Sequence, residues 1–303
     1  MQQTEISFFR EDYLDDICGL LNRALPREGF TPNSLQHLII KDPHFKAEDT
    51  IVFIQGKKIT GFLSAVIRRL EQSSAGVIKV FAVDPAWQRQ GIAGKCFTFI
   101  EQRFRAEGVQ EIHVGSYRGR TYVFDGLPTA CSGAWLFLNK QGYIREGTSF
   151  YMTAKLDRDY SIVDDEIAAL AAEGIIIRKA LSSDREKLLD WIIDEFGLGW
   201  KEATEISFLT EQPTVWICEK NGKISGFANY NSTFPGFFGP TGIGGTERGR
   251  GLGRILLLKC LQDLQKTCTR VRIPTDDKRL SFYHRSADAN ADIIFWRMKK
   301  ILK

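Results

Sequence analysis

Two segments of the chain carry an apolar residue at every fourth position, and they have the same phase. These residues are Ile92, Cys96, Ile100 and Phe104 in the first segment and, at a constant offset of 160 positions, Leu252, Leu256, Cys260 and Leu264 in the second. A four-residue spacing places side chains on one face of an α-helix. Each segment therefore predicts an amphipathic helix, and the constant offset predicts that the chain contains one domain twice.

The remaining apolar runs predict further elements around these helices. In the first half we predict strands at residues 4–8, 50–54, 58–68, 77–83 and 109–116, a closing strand or hairpin at 143–156, and helices at 13–24, 33–40 and 132–141. In the second half we predict strands at 175–178, 215–219 and 223–230, and a helix from the N-cap Ser183 to residue 195. The acid-rich segment 163–172 predicts a linking helix. The predicted organisation is a domain at 1–156, a linker at 157–173 and a smaller domain at 174–303.

A Gly-rich, basic loop leads into each predicted amphipathic helix. The first comprises Gln88, Arg89, Gln90, Gly91, Ile92 and Ala93, followed by Gly94 and Lys95, and the second comprises Arg248, Gly249, Arg250, Gly251, Leu252 and Gly253, followed by Arg254. The first turn of a helix presents unpaired N–H groups and a positive dipole end, and small residues let an anion approach. Both loops therefore predict a phosphate site, and a pyrophosphate is the ligand that we expect.

Neighbouring residues narrow the class of phosphate ligand. Neither loop has the Gly-Lys-Ser/Thr ending of a Walker loop or the G-x-G-x-x-G of dinucleotide-binding proteins. The first loop follows the strand 77–83 and the turn dipeptide Asp84-Pro85, and a two-strand turn precedes each loop, at 56–62 and 222–227. Strand, V-D-P turn, Q/R-x-x-G-x-G/A loop and amphipathic helix together resemble the acetyl-CoA site of the GNAT superfamily of N-acetyltransferases.

This resemblance covers nearly the whole chain and implies a fold and a chemistry. The implied fold is α/β (α+β), with two tandem GNAT-like domains that each have a mixed, mostly antiparallel, twisted sheet flanked by helices. Acetyl-CoA would be the acyl donor, bound by the loop residues named above and by Phe81 and Val83 of the preceding strand. A primary amine of a small molecule or peptide would attack it directly. The alternative is an acyl-CoA sensor with one or both halves catalytically silent.

The two halves differ where the family often has a tyrosine that protonates the departing thiolate. The family pattern A-x-x-x-Y-x-x-x-G fits residues 134–142 with Leu138 in place of the tyrosine, so Tyr117 or Tyr122 would have to supply the acid in the first half. In the second half the resemblance implies Tyr283 as the catalytic acid. The alternative is a packed aromatic residue whose hydroxyl group lies at the surface.

The strand before each loop lacks a carboxylate that could act as the general base. Glu71 and Glu247 are nearby in the sequence, and the alternative for both is a solvated surface charge. Proton removal through water is then the mechanism that we expect.

An insertion at residues 117–133 distinguishes the first half from the second, where residues 274–281 fill the same place. A long aromatic loop beside a cofactor site predicts a wall or lid of the acceptor site. A spacer that packs its aromatic residues on the other half is the alternative.

Composition and charge argue against several other classes. No apolar stretch approaches the length of a membrane span, and the N-terminus lacks the features of a signal peptide, so we expect a cytoplasmic protein. A net charge of +4 is too small to indicate nucleic-acid binding. The six cysteines and four histidines lack metal-ligand spacing, so we expect no metal. We expect a monomer or homodimer.

Overall fold

The computed structural model describes residues 4–70, 73–117 and 123–302. Contacts within the chain divide it into two units. Unit 1 holds the described residues up to 148 together with 295–302, and unit 2 holds residues 149–294. The C-terminal residues therefore belong to the unit that the first half of the sequence forms.

Unit 1 is built on a mixed, mostly antiparallel sheet. Its strands are β1 (Thr4–Phe8), β2 (Thr50–Gln55), β3 (Lys58–Leu70), β4 (Ser73–Val83), β5 (Glu111–Val114), the short β6 (Leu127–Pro128), the start of β7 (Ile144–Lys155) and the end of β13 (Asn290–Ile301). The order β1-β2-β3-β4-β5-β13 runs across the sheet, and β6 pairs with β13. The β4–β5 pair is parallel, and the β1–β2, β2–β3, β3–β4 and β5–β13 pairs are antiparallel.

Helices cover the sheet of unit 1. They are α1 (Leu14–Ala24), α2 (Pro32–Leu35) with a π-helical turn at Gln36–Ile40, α3 (Ile92–Ala106) and α4 (Ser132–Lys140). The apolar face of α3 is buried, and Ile100 and Phe104 lie in one core cluster with Ile112 and Met298. The four-residue apolar spacing thus becomes the face of the helix that packs on the sheet.

Unit 2 repeats this arrangement. Its strands are residues 149–155 of β7, β8 (Ile175–Lys179), β9 (Val215–Lys220), β10 (Lys223–Tyr230), β11 (Phe238–Ile243), β12 (Arg270–Thr275) and residues 290–294 of β13. Strands β8 to β11 form an antiparallel sheet in the order β11-β10-β9-β8. The pair β7–β12 is antiparallel, and a parallel bridge joins Phe237 to Arg272. The helices are α5 (Asp164–Ala172), α6 (Arg185–Phe196), α7 (Leu198–Ile206), α8 (Leu252–Leu264) and α9 (Leu280–Ala287).

The last strand of each unit comes from the other half of the sequence. In unit 1, Met298–Ile301 of β13 pair with β5, and in unit 2, residues 150–155 of β7 pair with β12. The prediction of two domains that each combine a mixed sheet with helices is confirmed. The predicted boundary at residue 156 and the observed units differ in these two segments, because each strand pairs with a partner that is distant in sequence. No helix within the described ranges is long and apolar enough to cross a membrane.

We predict that Met298→Ala destabilises unit 1, although the residue lies near the C-terminus. Met298 is 1% exposed in the core that contains Ile112, so its truncation leaves a cavity that costs about 2–5 kcal/mol. Urea unfolding measures the loss, and hydrogen exchange should show weaker protection of β5 with β12 unchanged. The control Ile301→Ala alters a side chain that is 54% exposed and should cost less than about 1 kcal/mol. Equal loss of protection in β5 and β12 would contradict the prediction.

Candidate active site

The first Gly-rich loop leaves β4 through a turn that is fixed by a charged carboxylate. The backbone N–H of Asp84 donates to the Thr60 carbonyl at 2.9 Å, and its side chain accepts from the Ala86 N–H at 3.1 Å. The same carboxylate is paired with Arg23 at 2.9 Å and Lys58 at 3.2 Å. Burial opposes ionisation of Asp84, but the Ala86 N–H, Arg23 and Lys58 hold its pKa below the usual range.

Helix α3 begins directly after this loop with an open first turn. Gly91 has a φ of +79°, the left-handed conformation that favours glycine. The Lys95 N–H donates to the Gly91 carbonyl at 3.1 Å, so the N–H groups of Ile92, Ala93 and Gly94 have no acceptor within the helix. A Cβ atom on Gly94 would meet nothing within 4 Å. These three donors are therefore accessible to a ligand.

A cleft of about 850 Å³ lies over this first turn. Of the predicted residues, its wall includes Phe81, Val83, Gln88, Arg89, Gly91, Ile92, Ala93 and Gly94. Gln90 and Lys95 lie outside the wall, and the Lys95 Nζ is 5.4 Å from the centre of the Phe53 ring. Pockets of about 300–1,000 Å³ are typical of small-molecule sites, so the cleft has the size of a ligand site.

Two cations on the cleft wall are available to an anionic ligand. Arg89 and Lys140 line the cleft, and neither forms a hydrogen bond or ion pair with another described residue. Part of the remaining wall is apolar and includes Leu25, Leu136 and Phe137. Free cations beside open helix N–H groups suit phosphate groups, and the apolar wall suits a less polar part of the same ligand.

A smaller cavity of about 50 Å³ adjoins the cleft and lies against β4. The residues that border both spaces are Leu25, Phe81, Cys131 and Ala134. Parallel pairing with β5 covers Gly76–Ile78 of β4, and the Gly115 N–H then donates to the Ile78 carbonyl at 2.8 Å. Beyond this point, among the described residues, β4 has no strand partner on that side. Backbone groups of residues 79–82 that face away from β3 are therefore available to a ligand, whereas the Val83 carbonyl accepts from the Gln88 side chain at 3.3 Å.

A β-bulge at Lys79 shapes this same stretch of β4. Ser64 of β3 pairs with Val80, and its neighbour Ala65 pairs with Ile78, so Lys79 is the extra residue in β4. Lys79 is also part of the cavity wall. The bulge therefore sits at the point where β4 separates from β5.

The ammonium group of Lys79 is held in a buried ionic cluster. It donates to Asp42 at 2.6 Å and to the Leu38 carbonyl, and Arg68 makes two hydrogen bonds to the same carboxylate at 2.8 and 2.7 Å. Burial opposes the charge of Asp42, but Lys79 and Arg68 together hold its pKa well below the usual range. The cluster therefore fixes the bulge to the helical segment beneath it.

The second Gly-rich loop has the same backbone as the first but different side-chain contacts. Gly251 has a φ of +76°, and Gly249 has a φ of +83° where Arg89 has +61°. The Gly244 N–H donates to the Ser225 carbonyl at 2.8 Å, as Asp84 does to Thr60. The remaining predicted cofactor residues of this loop are Arg248, Arg250, Leu252, Gly253 and Arg254. Leu252 is 1% exposed in the core, and Arg250 and Arg254 are paired with carboxylates.

Tyr283 lies in the core of unit 2. Its ring centre is 6.1 Å from that of Phe238 and 5.0 Å from that of Phe282, and burial raises its pKa to about 12. Its hydroxyl group has no hydrogen-bond partner among the residues that the structure describes. Leu138, at the matching position in unit 1, is fully buried too. The acid role of Tyr283 stays a prediction.

The other residues considered for acid and base roles have different surroundings. Tyr117 stacks on His113 with ring centres 3.9 Å apart, and its hydroxyl donates to Glu111 at 3.3 Å. Glu247 is 6% exposed, and hydrogen bonds from Lys220 and Arg250 lower its pKa. It is therefore a buried ion-paired group rather than a solvated surface charge. Tyr122 and Glu71 lie outside the described residues.

The described part of the insertion packs within unit 1. Phe124 contacts Phe30 with ring centres 6.4 Å apart, and residues of the segment 124–131 line the small cavity. Phe124 also contacts Phe295 of β13, which comes from the second half of the sequence, with ring centres 6.5 Å apart. The described residues therefore fit both the prediction of a wall beside the site and the alternative of a spacer that packs its aromatic residues on the other half. Among the described residues, no group of three or more His, Cys, Asp or Glu side chains could hold a metal ion.

Several residues of the cleft and cavity were missed by sequence reasoning. They are Leu25, Lys79, Cys131, Ala134 and Lys140. They lie on or beside α1, β4 and α4, which are separated along the chain and meet only in the fold. The run of small residues at 130–134 is the one local signal that could have indicated a close approach of a ligand to α4.

Comparisons with known proteins place this geometry in a family. The sequence matches the model of the acetyltransferase (GNAT) family over residues 14–120 and 185–287. A comparison with curated proteins finds no significant match. The family match covers more than half of the chain, and the chain therefore belongs to the GNAT family of acetyltransferases. It carries the family's domain twice.

Solved structures share this fold across nearly the whole chain. A glucosamine N-acetyltransferase region of a fungal multi-domain GH3 β-N-acetylglucosaminidase has a TM-score of 0.81 and 18% identity, and covers 99% of this chain. The chain spans 38% of the length of that fungal protein. A GCN5-related N-acetyltransferase from Sphaerobacter thermophilus has a TM-score of 0.72 at 13% identity, covering 99% of this chain and 96% of its own. A tandem GNAT protein of the clavulanic acid biosynthesis pathway has a TM-score of 0.70 at 13% identity, covering 99% of both chains.

We predict that Asp42→Asn destabilises the protein by about 3–5 kcal/mol at pH 7, because it leaves two buried cations without their carboxylate. Because the pKa of Asp42 is lowered in the folded state, its carboxylate contributes its full stabilisation of the fold above the unfolded-state pKa of about 3.9. This stabilisation is lost as pH falls further. The stability difference between variant and wild type should therefore shrink below about pH 4. Urea unfolding between pH 7 and 3 measures it.

The matched control for this prediction is Asp12→Asn. Asp12 pairs with Arg10 at 2.5 Å, and its side chain is 57% exposed, so its replacement should cost less than about 1 kcal/mol. Equal losses for the two variants would show that the cluster around Lys79 does not stabilise the fold.

Proposed function

We propose that the chain is an N-acetyltransferase that moves the acetyl group of acetyl-CoA to a primary amine of a small molecule or peptide. The observation that carries this proposal is the cleft of unit 1, where the open first turn of α3 meets the unpaired edge of β4. The turn offers N–H donors for a pyrophosphate. The strand edge offers hydrogen-bonding groups for an extended amide chain. Coenzyme A contains both of these parts.

Coenzyme A would be held mainly through its phosphates. The N–H groups of Ile92, Ala93 and Gly94 have no acceptor within the helix, and Arg89 and Lys140 supply positive charge on the same wall. Charge-assisted hydrogen bonds of this kind are the strong ones. These five residues are therefore the binding set that we assign to the phosphates.

In the proposed reaction the neutral amine attacks the carbonyl carbon of the thioester. A C–N bond forms and the C–S bond breaks, while the nitrogen loses a proton and the departing sulfur gains one. We place the acetyl group at the small cavity, because residues 78–81 of β4 line it beside the unpaired strand edge. Backbone N–H groups of that edge would stabilise the negative charge that develops on the carbonyl oxygen.

The environment of Cys131 favours direct attack of the amine on acetyl-CoA over a mechanism in which the Cys131 thiol is acetylated first. This thiol borders both the cleft and the cavity, and its pKa is raised first by burial and then by Glu28. A protonated thiol is a weak nucleophile. Since no carboxylate is present among the described residues of either wall, we propose that water removes the proton from the amine.

A thiol-release assay with acetyl-CoA across a panel of amines tests the proposed activity. The panel contains small amines, amino acids, aminoglycosides and peptides with free N-termini. It includes glucosamine, because the fungal region of similar fold is named for that substrate. Thiol release that depends on one class of amine supports the enzyme. Binding of acetyl-CoA without release for any amine would favour the sensor.

We predict that Gly94→Trp weakens acetyl-CoA binding on the order of 100-fold or more, about 3 kcal/mol. A Cβ at residue 94 points into open space on the cleft wall, so an indole there would occupy the place of the phosphates. Calorimetry measures the affinity. In the control Gly94→Ala the methyl group leaves the cleft open, and affinity should stay within about threefold. Native affinity in Gly94→Trp would contradict the assigned site.

The variant Tyr283→Phe tests whether the second half takes part in catalysis. Loss of a general acid lowers turnover on the order of 100-fold with little change in acetyl-CoA affinity. Because Tyr283 is buried between Phe238 and Phe282 in unit 2 and our proposed reaction takes place in unit 1, we expect turnover within about twofold of wild type. A large loss of turnover with unchanged stability would instead identify Tyr283 as the acid.

A further inference from the structure

The second Gly-rich loop has the backbone of an anion site, but two of its three arginines, Arg250 and Arg254, are already paired with carboxylates. The third, Arg248, donates to the Ile243 carbonyl at 3.1 Å. Arg250 contacts Glu247 at 3.1 Å and also contacts Glu173, and Arg254 contacts Glu166 at 2.9 Å. Glu166 lies in α5, and Glu173 directly follows that helix. The linking helix therefore supplies carboxylates to the loop that precedes α8.

Helix α5 runs antiparallel to α8, as the order of their ion pairs shows. In sequence along α5 the pairs are Asp164 with Lys259 at 3.1 Å, Glu166 with Arg254 at 2.9 Å, and Glu173 with Arg250. Carboxylates later in α5 meet cations earlier in α8 and its loop. The C-terminal end of α5 therefore reaches the first turn of α8, where a phosphate would bind.

The first loop has no counterpart of these pairs in its sequence. The residues 160 positions before Arg250, Arg254 and Lys259 are Gln90, Gly94 and Phe99, and none of them is charged. The second half thus combines additional cations with an acidic helix that matches them.

Access to the second helix turn is also narrower than access to the first. Arg254 stands where the first half has Gly94, which faces open space. A Cβ atom on Gly253 would lie 3.8 Å from a ring carbon of Phe282 and 3.8 Å from a side-chain carbon of Ile243. Arg254, Phe282 and Ile243 therefore narrow one side of the turn, while a Cβ atom on Gly251 would meet nothing within 4 Å.

We propose that the second loop is a docking site for the chain's own helix α5, with the Glu166 and Glu173 carboxylates in place of coenzyme phosphates. The inference rests on the proposed function, because it takes coenzyme A as the ligand of the first loop. Each exposed ion pair contributes at most about 1 kcal/mol. Helix α5 is covalently attached, however, so its carboxylates act at an effective concentration on the order of millimolar. The chain then binds one coenzyme A, in unit 1.

Calorimetric titration of the full chain with coenzyme A tests this proposal. The double variant Glu166→Gln/Glu173→Gln removes both charges and keeps the size of the side chains. We expect the stoichiometry to rise from about one equivalent in wild type to about two in the variant. Two equivalents in wild type, or one equivalent in the double variant, would overturn the proposal.

The control variant Asp165→Asn/Asp190→Asn removes the same charge from unit 2. Both carboxylates are exposed, and neither has a partner among the described residues. This variant should bind one equivalent, as wild type does, and a second equivalent here would attribute the gain to net charge and overturn the proposal. Thermal melts followed by circular dichroism verify that all variants are folded.

The Gly94→Trp background separates failure of this inference from failure of the proposed function. Gly94→Trp alone should bind coenzyme A on the order of 100-fold or more weakly than wild type, and the triple variant with Glu166→Gln and Glu173→Gln should regain about one equivalent of tight binding, at the second loop. If Gly94→Trp binds as wild type does, the assigned site in unit 1 is wrong. If Gly94→Trp shows this weakened binding and the triple variant regains no tight equivalent, the docking of α5 is overturned while the site in unit 1 stands.

Discussion

The cleft of unit 1 exists because the parallel pairing of β4 and β5 ends at Ile78. Up to that residue the two strands satisfy each other's backbone groups, but β5 ends at Val114 while β4 continues to Val83. An unpaired strand edge must hydrogen-bond to a ligand or to water. The bulge at Lys79 changes the direction of β4 at this point, and the buried carboxylate of Asp42 holds the Lys79 side chain in place. A buried ionic cluster thus fixes the position of the unpaired edge that we propose as part of the coenzyme site.

The two halves share the backbone of the proposed anion site and differ in the side chains that control access to it. Glycines with nearly equal φ angles, Gly91 and Gly251, precede both helices, and matching turn hydrogen bonds lead into both loops. Access depends instead on the side chains around the turn. Gly94 leaves the first turn open, whereas Arg254 and Glu166 stand beside the second. Similar loop sequences therefore do not imply equal binding.

Sequence patterns were sufficient where the information is local. The predicted strand 223–230 matches β10, and the apolar faces of α3 and α8 are the buried ones. Sequence patterns were not sufficient for β13, because its place in unit 1 depends on pairing with β5, which is far away in the sequence. They also could not bring Asp42 and Lys79 together, since each resembles a surface charge when its own neighbours are considered. Lys140 was missed for the same reason.

The exchange of terminal strands gives the second half a role that does not depend on coenzyme binding. Strand β13 pairs with β5 in unit 1 and β7 pairs with β12 in unit 2, so neither half of the sequence completes its own sheet. Without these strands, β5 and β12 would each present an unpaired edge. The core of unit 1 would also lose Met298 and Leu302. The cleft therefore requires the C-terminal residues for its stability, whatever the second loop binds.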